Sequence, residues 1–120
     1  KKGWTMRLAH KGFNILFADY EKAIIDLMLA DSKKTWGSGA MHLAVRAQGI
    51  DISRASVIFY MNFLVDEGIA IWADGTGKGG HHRLYSISKT EGEVKDLIIT
   101  RIMNALGEAL DVKFTWALER

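Results

Sequence analysis

The chain has 120 residues, a formal net charge of +2, 48% apolar residues and no cysteine. That length suits one domain with a modest core, and that apolar share argues against disorder. The missing cysteine excludes disulfides, thiolate metal sites and thiol catalysis, and it fits a cytoplasmic setting.

No apolar run approaches the ~18 residues that a membrane span needs, so no membrane partner is expected. The run from Phe13 to Ala18 is also too short for a secretory core, and no targeting segment is read. A charge of +2 is weak for a nucleic-acid binder, but its distribution is uneven. Residues 1–12 hold Lys1, Lys2, Arg7 and Lys11 and no acid, whereas residues 91–120 hold six acids against four bases. Positive potential is thus expected on an N-terminal arm and, as the chain order below brings out, on a hairpin.

Residues 1–18 read as a basic arm followed by an apolar segment. The first clear helix spans about Tyr20 to Ala30, with Asp19 as its N-cap and Tyr20, Ile24, Leu27 and Met28 on one face. A loop carrying Trp36 follows. A second helix, about Ala40 to Gln48, is expected to bury Leu43, Ala44 and Ala47, with Gly49 turning the chain after it. Ser53 caps a third helix whose inner stripe is Val57, Met61, Leu64 and Val65, and Gly68 supplies the left-handed residue that ends it.

Strands are predicted at Ile69–Ala73 and Arg83–Ser88, flanking the glycine loop Gly75-Thr76-Gly77-Lys78-Gly79-Gly80 and its sequel His81-His82-Arg83. The loop matches G-x-G-x-x-G, but a dinucleotide fingerprint needs a helix after the glycines, and here a strand follows. The glycines are expected to permit a tight hairpin whose backbone can approach phosphate. His81 and His82 are strand neighbours with side chains on opposite faces, so they are poorly placed to share a metal. No catalytic constellation stands out; no enzyme activity, metal or cofactor is expected.

The outward face of the third helix carries Arg54, Ser56, Ile58, Phe59, Asn62 and Phe63. Arg54 and Ser56 lie in the first turn; Arg pairs bidentately with guanine and Asn with adenine. Phe59 and Phe63 sit opposite the core stripe, where leaving them in water costs roughly 1.5–3 kcal/mol each relative to burial. They meet thymine methyls, are covered by the Phe13–Phe17 segment, or bind a protein partner; a shifted helix phase is the fourth reading.

A long helix is predicted over about Glu91 to Leu110, ahead of a tail at 113–120. One apolar stripe holds Val94, Leu97, Ile98, Ile102, Ala105 and Ala109; a second, turned by roughly 100°, holds Ile99, Met103, Leu106 and Leu110. Two stripes exceed what one domain can cover, so a homodimer is expected on this helix through Val94, Leu97, Ile98, Ile102, Met103, Leu106 and Leu110.

Three segments carry a family resemblance. They are Ile52-Ser53-Arg54-Ala55-Ser56-Val57, Leu64-Val65-Asp66-Glu67-Gly68-Ile69, and Thr76 through Tyr85. Residues 19–90 resemble winged helix-turn-helix transcriptional regulators, nearest to the group of penicillinase and copper-operon repressors and antibiotic-resistance regulators. The resemblance implies an α+β, mostly helical fold: a three-helix core, a β-hairpin wing, and a C-terminal dimerisation helix over 91–112. It also implies sequence-specific binding of double-stranded DNA, usually repression, by a dimer on a palindromic operator.

On that reading Arg54, Ser56 and Asn62 read bases. Thr76, Lys78, His81, His82 and Arg83 hold the backbone or minor groove, and Lys1, Lys2 and Arg7 add electrostatic grip. The competing reading is a winged-helix protein-interaction module that uses Phe59 and Phe63. A small-molecule effector is a further variant, though no residue names one.

Overall fold

The computed structural model describes residues 16–77 and 80–110, with the backbone alone at 76, 77, 80 and 81. Lys1, Lys2 and Arg7, the segment from Phe13 to Ile15, Lys78 and the tail at 113–120 lie outside the described residues. Six elements follow in order: α1 (Asp19–Ala30), α2 (Ser38–Arg46), α3 (Arg54–Asp66), β1 (Ala70–Gly77), β2 (Gly80–Ile87) and α4 (Glu91–Leu110). This is the α+β, mostly helical winged helix-turn-helix, extended by a long C-terminal helix. The chain divides into two units, Lys1–Ser88 and Lys89–Arg120.

In the first unit α3 lies against α1, α2 and β1. Its ends are built from local chemistry. The Ser53 hydroxyl accepts from the Ser56 amide at 3.1 Å, satisfying one donor of the first turn. At the other end Gly68 takes φ +80°, its amide donates to the Val65 carbonyl at 3.0 Å, and the Ile69 amide donates to the Leu64 carbonyl at 2.9 Å. That pair of bonds is a Schellman motif, closed by a residue whose missing Cβ makes the left-handed conformation cheap. The inner stripe of α3 is Val57, Tyr60, Met61 and Leu64; Val65 is only half-buried.

Two local expectations are corrected. Asp19 is the first residue of α1, not its cap; Ala18 holds the N-cap position and its amide donates to Glu21 Oε1 at 2.8 Å. The acids Asp19 and Glu21 then sit at the positive end of the helix. In α2, Met41 and Val45 are buried, while Leu43 is 71% exposed and Ala47 is exposed. Apolar residues occur on nearly every face of this nine-residue helix, so spacing alone does not select the inner one.

The hairpin also differs from expectation. Pairing runs from Ala70↔Ile87 to Gly77↔Gly80, so Gly75, Gly77 and Gly80 belong to eight-residue strands and only positions 78–79 connect them. Gly75 is buried; a Cβ there would lie 2.8 Å from Leu84 Cδ1 and 3.0 Å from His82 Nε2. It is kept small by side chains folding over it, not by a loose turn. Trp36 adds a one-residue third strand: its amide donates to the Tyr85 carbonyl at 2.7 Å and its carbonyl accepts from the Tyr85 amide at 2.8 Å.

In the second unit Thr90 opens α4 with a reciprocal capping box. The Thr90 hydroxyl accepts from the Glu93 amide at 3.2 Å, and the Thr90 amide donates to Glu93 Oε1 at 2.9 Å. Val94 and Ile98 are buried, Leu97, Ile102, Met103 and Leu106 are half-buried, and Ile99 and Leu110 are 39% and 63% exposed. No helix among the described residues is long and apolar enough to cross a membrane.

Candidate nucleic-acid interface

The sequence candidates for DNA contact among the described residues fall on the outward side of α3 and on the hairpin. The cap at Ser53 starts α3 so that Arg54 and Ala55 are exposed and Ser56 half-exposed in its first turn. Arg54 does not hang loose. Its Nε and Nη2 donate to Ser38 Oγ at 3.3 and 3.1 Å, joining the start of α3 to the start of α2. The guanidinium lies near Gly39 as well, 3.7 Å from where a Cβ would stand. Ser56 Oγ accepts from the Ser53 hydroxyl at 3.0 Å.

One turn further on, Phe59 is 68% exposed on the same side as Ala55. Phe63 is half-buried and stacks on Tyr60 with ring centroids 5.6 Å apart, while Tyr60 meets Tyr20 edge-on at 6.0 Å. The helix phase read from the sequence therefore holds for Phe59, but Phe63 turns partly inward. Burial pushes the Tyr60 phenol well above the ordinary tyrosine range, helped by the Glu21 charge and by Tyr20. Its hydroxyl is buried with no hydrogen-bond partner.

Asn62 couples α3 to the hairpin. Its Oδ1 accepts from Arg83 Nη1 at 2.9 Å and from the Tyr85 hydroxyl at 2.6 Å. Arg has no acceptor atom, so the carboxamide oxygen must face it. The Arg83 guanidinium also covers the Trp72 ring, 4.2 Å from its centroid. Trp72 pairs with Tyr85 and Asp74 with Arg83 in the hairpin register, so these four residues share one face of the sheet. Ser38, Ile58, Asn62, Arg83 and Tyr85 line a cleft of about 370 Å³ between the helices and the hairpin. Arg83 lines the cleft itself, and Arg54 reaches its edge through its two bonds to Ser38.

Of the remaining sequence candidates, His82 is exposed opposite Gly75, and the backbones of Thr76 and His81 are partners in the strand register. Lys78, Lys1, Lys2 and Arg7 lie outside the described residues.

Sequence reasoning missed Ser38, Trp72, Tyr85 and His42. The first three needed the strand register and the α2–α3 crossing. His42 Nε2 lies 2.7 Å from the Ile52 carbonyl; because a carbonyl only accepts, that nitrogen carries the proton. The bond ties α2 to the turn leading into α3. Among the described residues no group of histidines and carboxylates is placed to hold a metal ion.

The fold has counterparts among solved structures. A possible transcriptional regulator from Methanosarcina mazei Go1 superposes with a TM-score of 0.58 at 13% identity, covering 79% of this chain and 78% of that one. A PadR family transcriptional regulator from Eggerthella lenta DSM 2243 superposes with a TM-score of 0.50 at 15% identity, covering 78% of this chain and 87% of that one. Likeness at such identities establishes a shared fold. No family model matches the chain, and no curated protein matches it. The narrower resemblance to penicillinase and copper-operon repressors has no counterpart in these two structures.

Proposed function

We propose that this chain is a sequence-specific regulator of transcription that binds double-stranded DNA as a homodimer, most simply as a repressor. The observation that carries the reading is the placement of Arg54 and Ser56 at the start of α3 beside a long hairpin that bears Arg83 and His82. Helix α3 enters the major groove and the hairpin lies along the backbone or minor groove. The winged-helix fold and the two solved structures described as transcriptional regulators support it.

The dimer is proposed to form through α4, over 91–112. Of the two apolar stripes, Val94 and Ile98 are already buried in the single chain, while Ile99 and Leu110 are exposed. The second chain is therefore assigned the stripe of Ile99, Met103, Leu106 and Leu110, with Leu97 and Ile102 at its edge. Two copies of α3 then meet successive major grooves about one DNA turn apart. Lys1, Lys2 and Arg7 add charge to the grip.

The test is a salt-titrated shift assay on random duplex DNA with selection of the bound sequences. A two-fold symmetric consensus is expected. Binding should weaken steeply with salt, each phosphate-contacting Lys or Arg adding about 0.9 to the slope of log K against log salt. A chain with no affinity for duplex in dilute buffer overturns the reading. A second reading, a protein-interaction module, is favoured by the exposure of Phe59. Phe59→Ser would then abolish partner binding and leave DNA affinity and folding intact.

A further inference from the structure

We infer that Asn62 is a positioning residue: it clamps the hairpin to α3 and so sets where Arg83 meets a duplex, and it does not itself read a base. The inference rests on the DNA-binding reading above. A carboxamide oxygen has two lone pairs, and Asn62 Oδ1 already accepts two hydrogen bonds, one charged. Bidentate pairing with adenine requires that same oxygen to accept from the base's amino group, so Asn62 would have to release the hairpin in order to read.

The two donors are two residues apart on one strand, and that spacing brings both to one face. Tyr85 is a fixed post: it is buried, and its backbone is hydrogen-bonded to Trp36 in both directions. Arg83 is held edge-on by Asn62 and face-on by Trp72. One of its five N–H donors is used by Asn62, leaving the others to meet phosphate. Fixing a long cationic side chain before binding removes part of the entropy that binding would otherwise cost.

The test uses the 120-residue chain as wild type, Asn62→Ala, Asn62→Asp and Tyr85→Phe. Amide hydrogen exchange is followed in the hairpin, and sequences are selected from random duplex at one salt concentration. Asn62→Ala is expected to speed hairpin exchange on the order of tenfold and to weaken every selected sequence alike, with the consensus unchanged. Asn62→Asp keeps the acceptor and loses the amide donor, so it should restore slow exchange and the wild-type consensus. Tyr85→Phe should fall between wild type and Asn62→Ala.

Loss of preference at a single base pair in both Asn62 variants overturns the inference, and so does unchanged exchange in Asn62→Ala. If Asn62→Ala fails to fold, Asn62→Asp and Tyr85→Phe still decide. Exchange needs no DNA. A wild type that binds no duplex therefore overturns the functional reading and the presentation of Arg83, while the clamp stands or falls separately on the exchange rates.

Discussion

The ring of His42 reaches ten residues along the chain to the carbonyl of Ile52, 2.7 Å away, and closes the turn between α2 and α3. The bond is part-buried, so losing the donor leaves a carbonyl partly shielded from water. His42→Ala is expected to lower unfolding free energy by about 1–2 kcal/mol, read from urea denaturation. Because the turn orients α3, duplex affinity should fall in step. Unchanged stability would mean that the turn holds its shape without the imidazole.

Gly75 and Leu84 make a second testable pair. A methyl at Gly75 would press on the Leu84 side chain at 2.8 Å, so Gly75→Ala should destabilise by about 1–3 kcal/mol. Shortening the opposing side chain relieves the clash. The double variant Gly75→Ala with Leu84→Ala should thus lose less stability than the two single losses added together. Strict additivity would place the glycine's role in backbone freedom instead.

Tyr60 carries a buried hydroxyl without a hydrogen-bond partner. Tyr60→Phe removes the desolvated group and keeps the stacking on Phe63 and the edge contact with Tyr20. A gain of about 1 kcal/mol in unfolding free energy is expected. A loss of similar size would show that the hydroxyl has a partner in solution.

The start of α4 should depend on acid. The Thr90 amide, and then the Thr90 hydroxyl, hold the Glu93 carboxyl below the ordinary carboxylate range. A carboxyl with a lower pKa folded than unfolded stabilises the folded helix end above its unfolded pKa. That contribution is lost as pH falls through the lower, folded value. Protection against hydrogen exchange at the first turn of α4, relative to the intrinsic rate at each pH, should therefore fall on acidification, and Glu93→Gln, which removes the titrating carboxyl, should flatten the dependence. An identical acid response in Glu93→Gln would rule out the capping box as its source.

Where signals were local, the residue order was sufficient. Ser53 supplies a hydroxyl and Gly68 a left-handed turn within one helix length, so α3 begins and ends where its own residues direct. The span of α4 follows equally from its own residues, with acids at its start and a long apolar repeat. These are interactions over three to five positions, and the order of residues contains them in full.

What the order of residues does not contain is which neighbour covers a face. The inner side of α2 depends on how it crosses α3, and that crossing selects Met41 and Val45 and leaves Leu43 in water. The space that keeps position 75 a glycine is filled by Leu84, a contact between residues on different strands. The partners of Asn62 lie 21 and 23 positions away, and Arg54 finds Ser38 16 positions back. Composition and spacing nominated Arg54, Asn62 and Arg83; the tertiary structure gave each its partner, because the burial and directed bonds that single out one partner exist only once the helices and the sheet have been brought together.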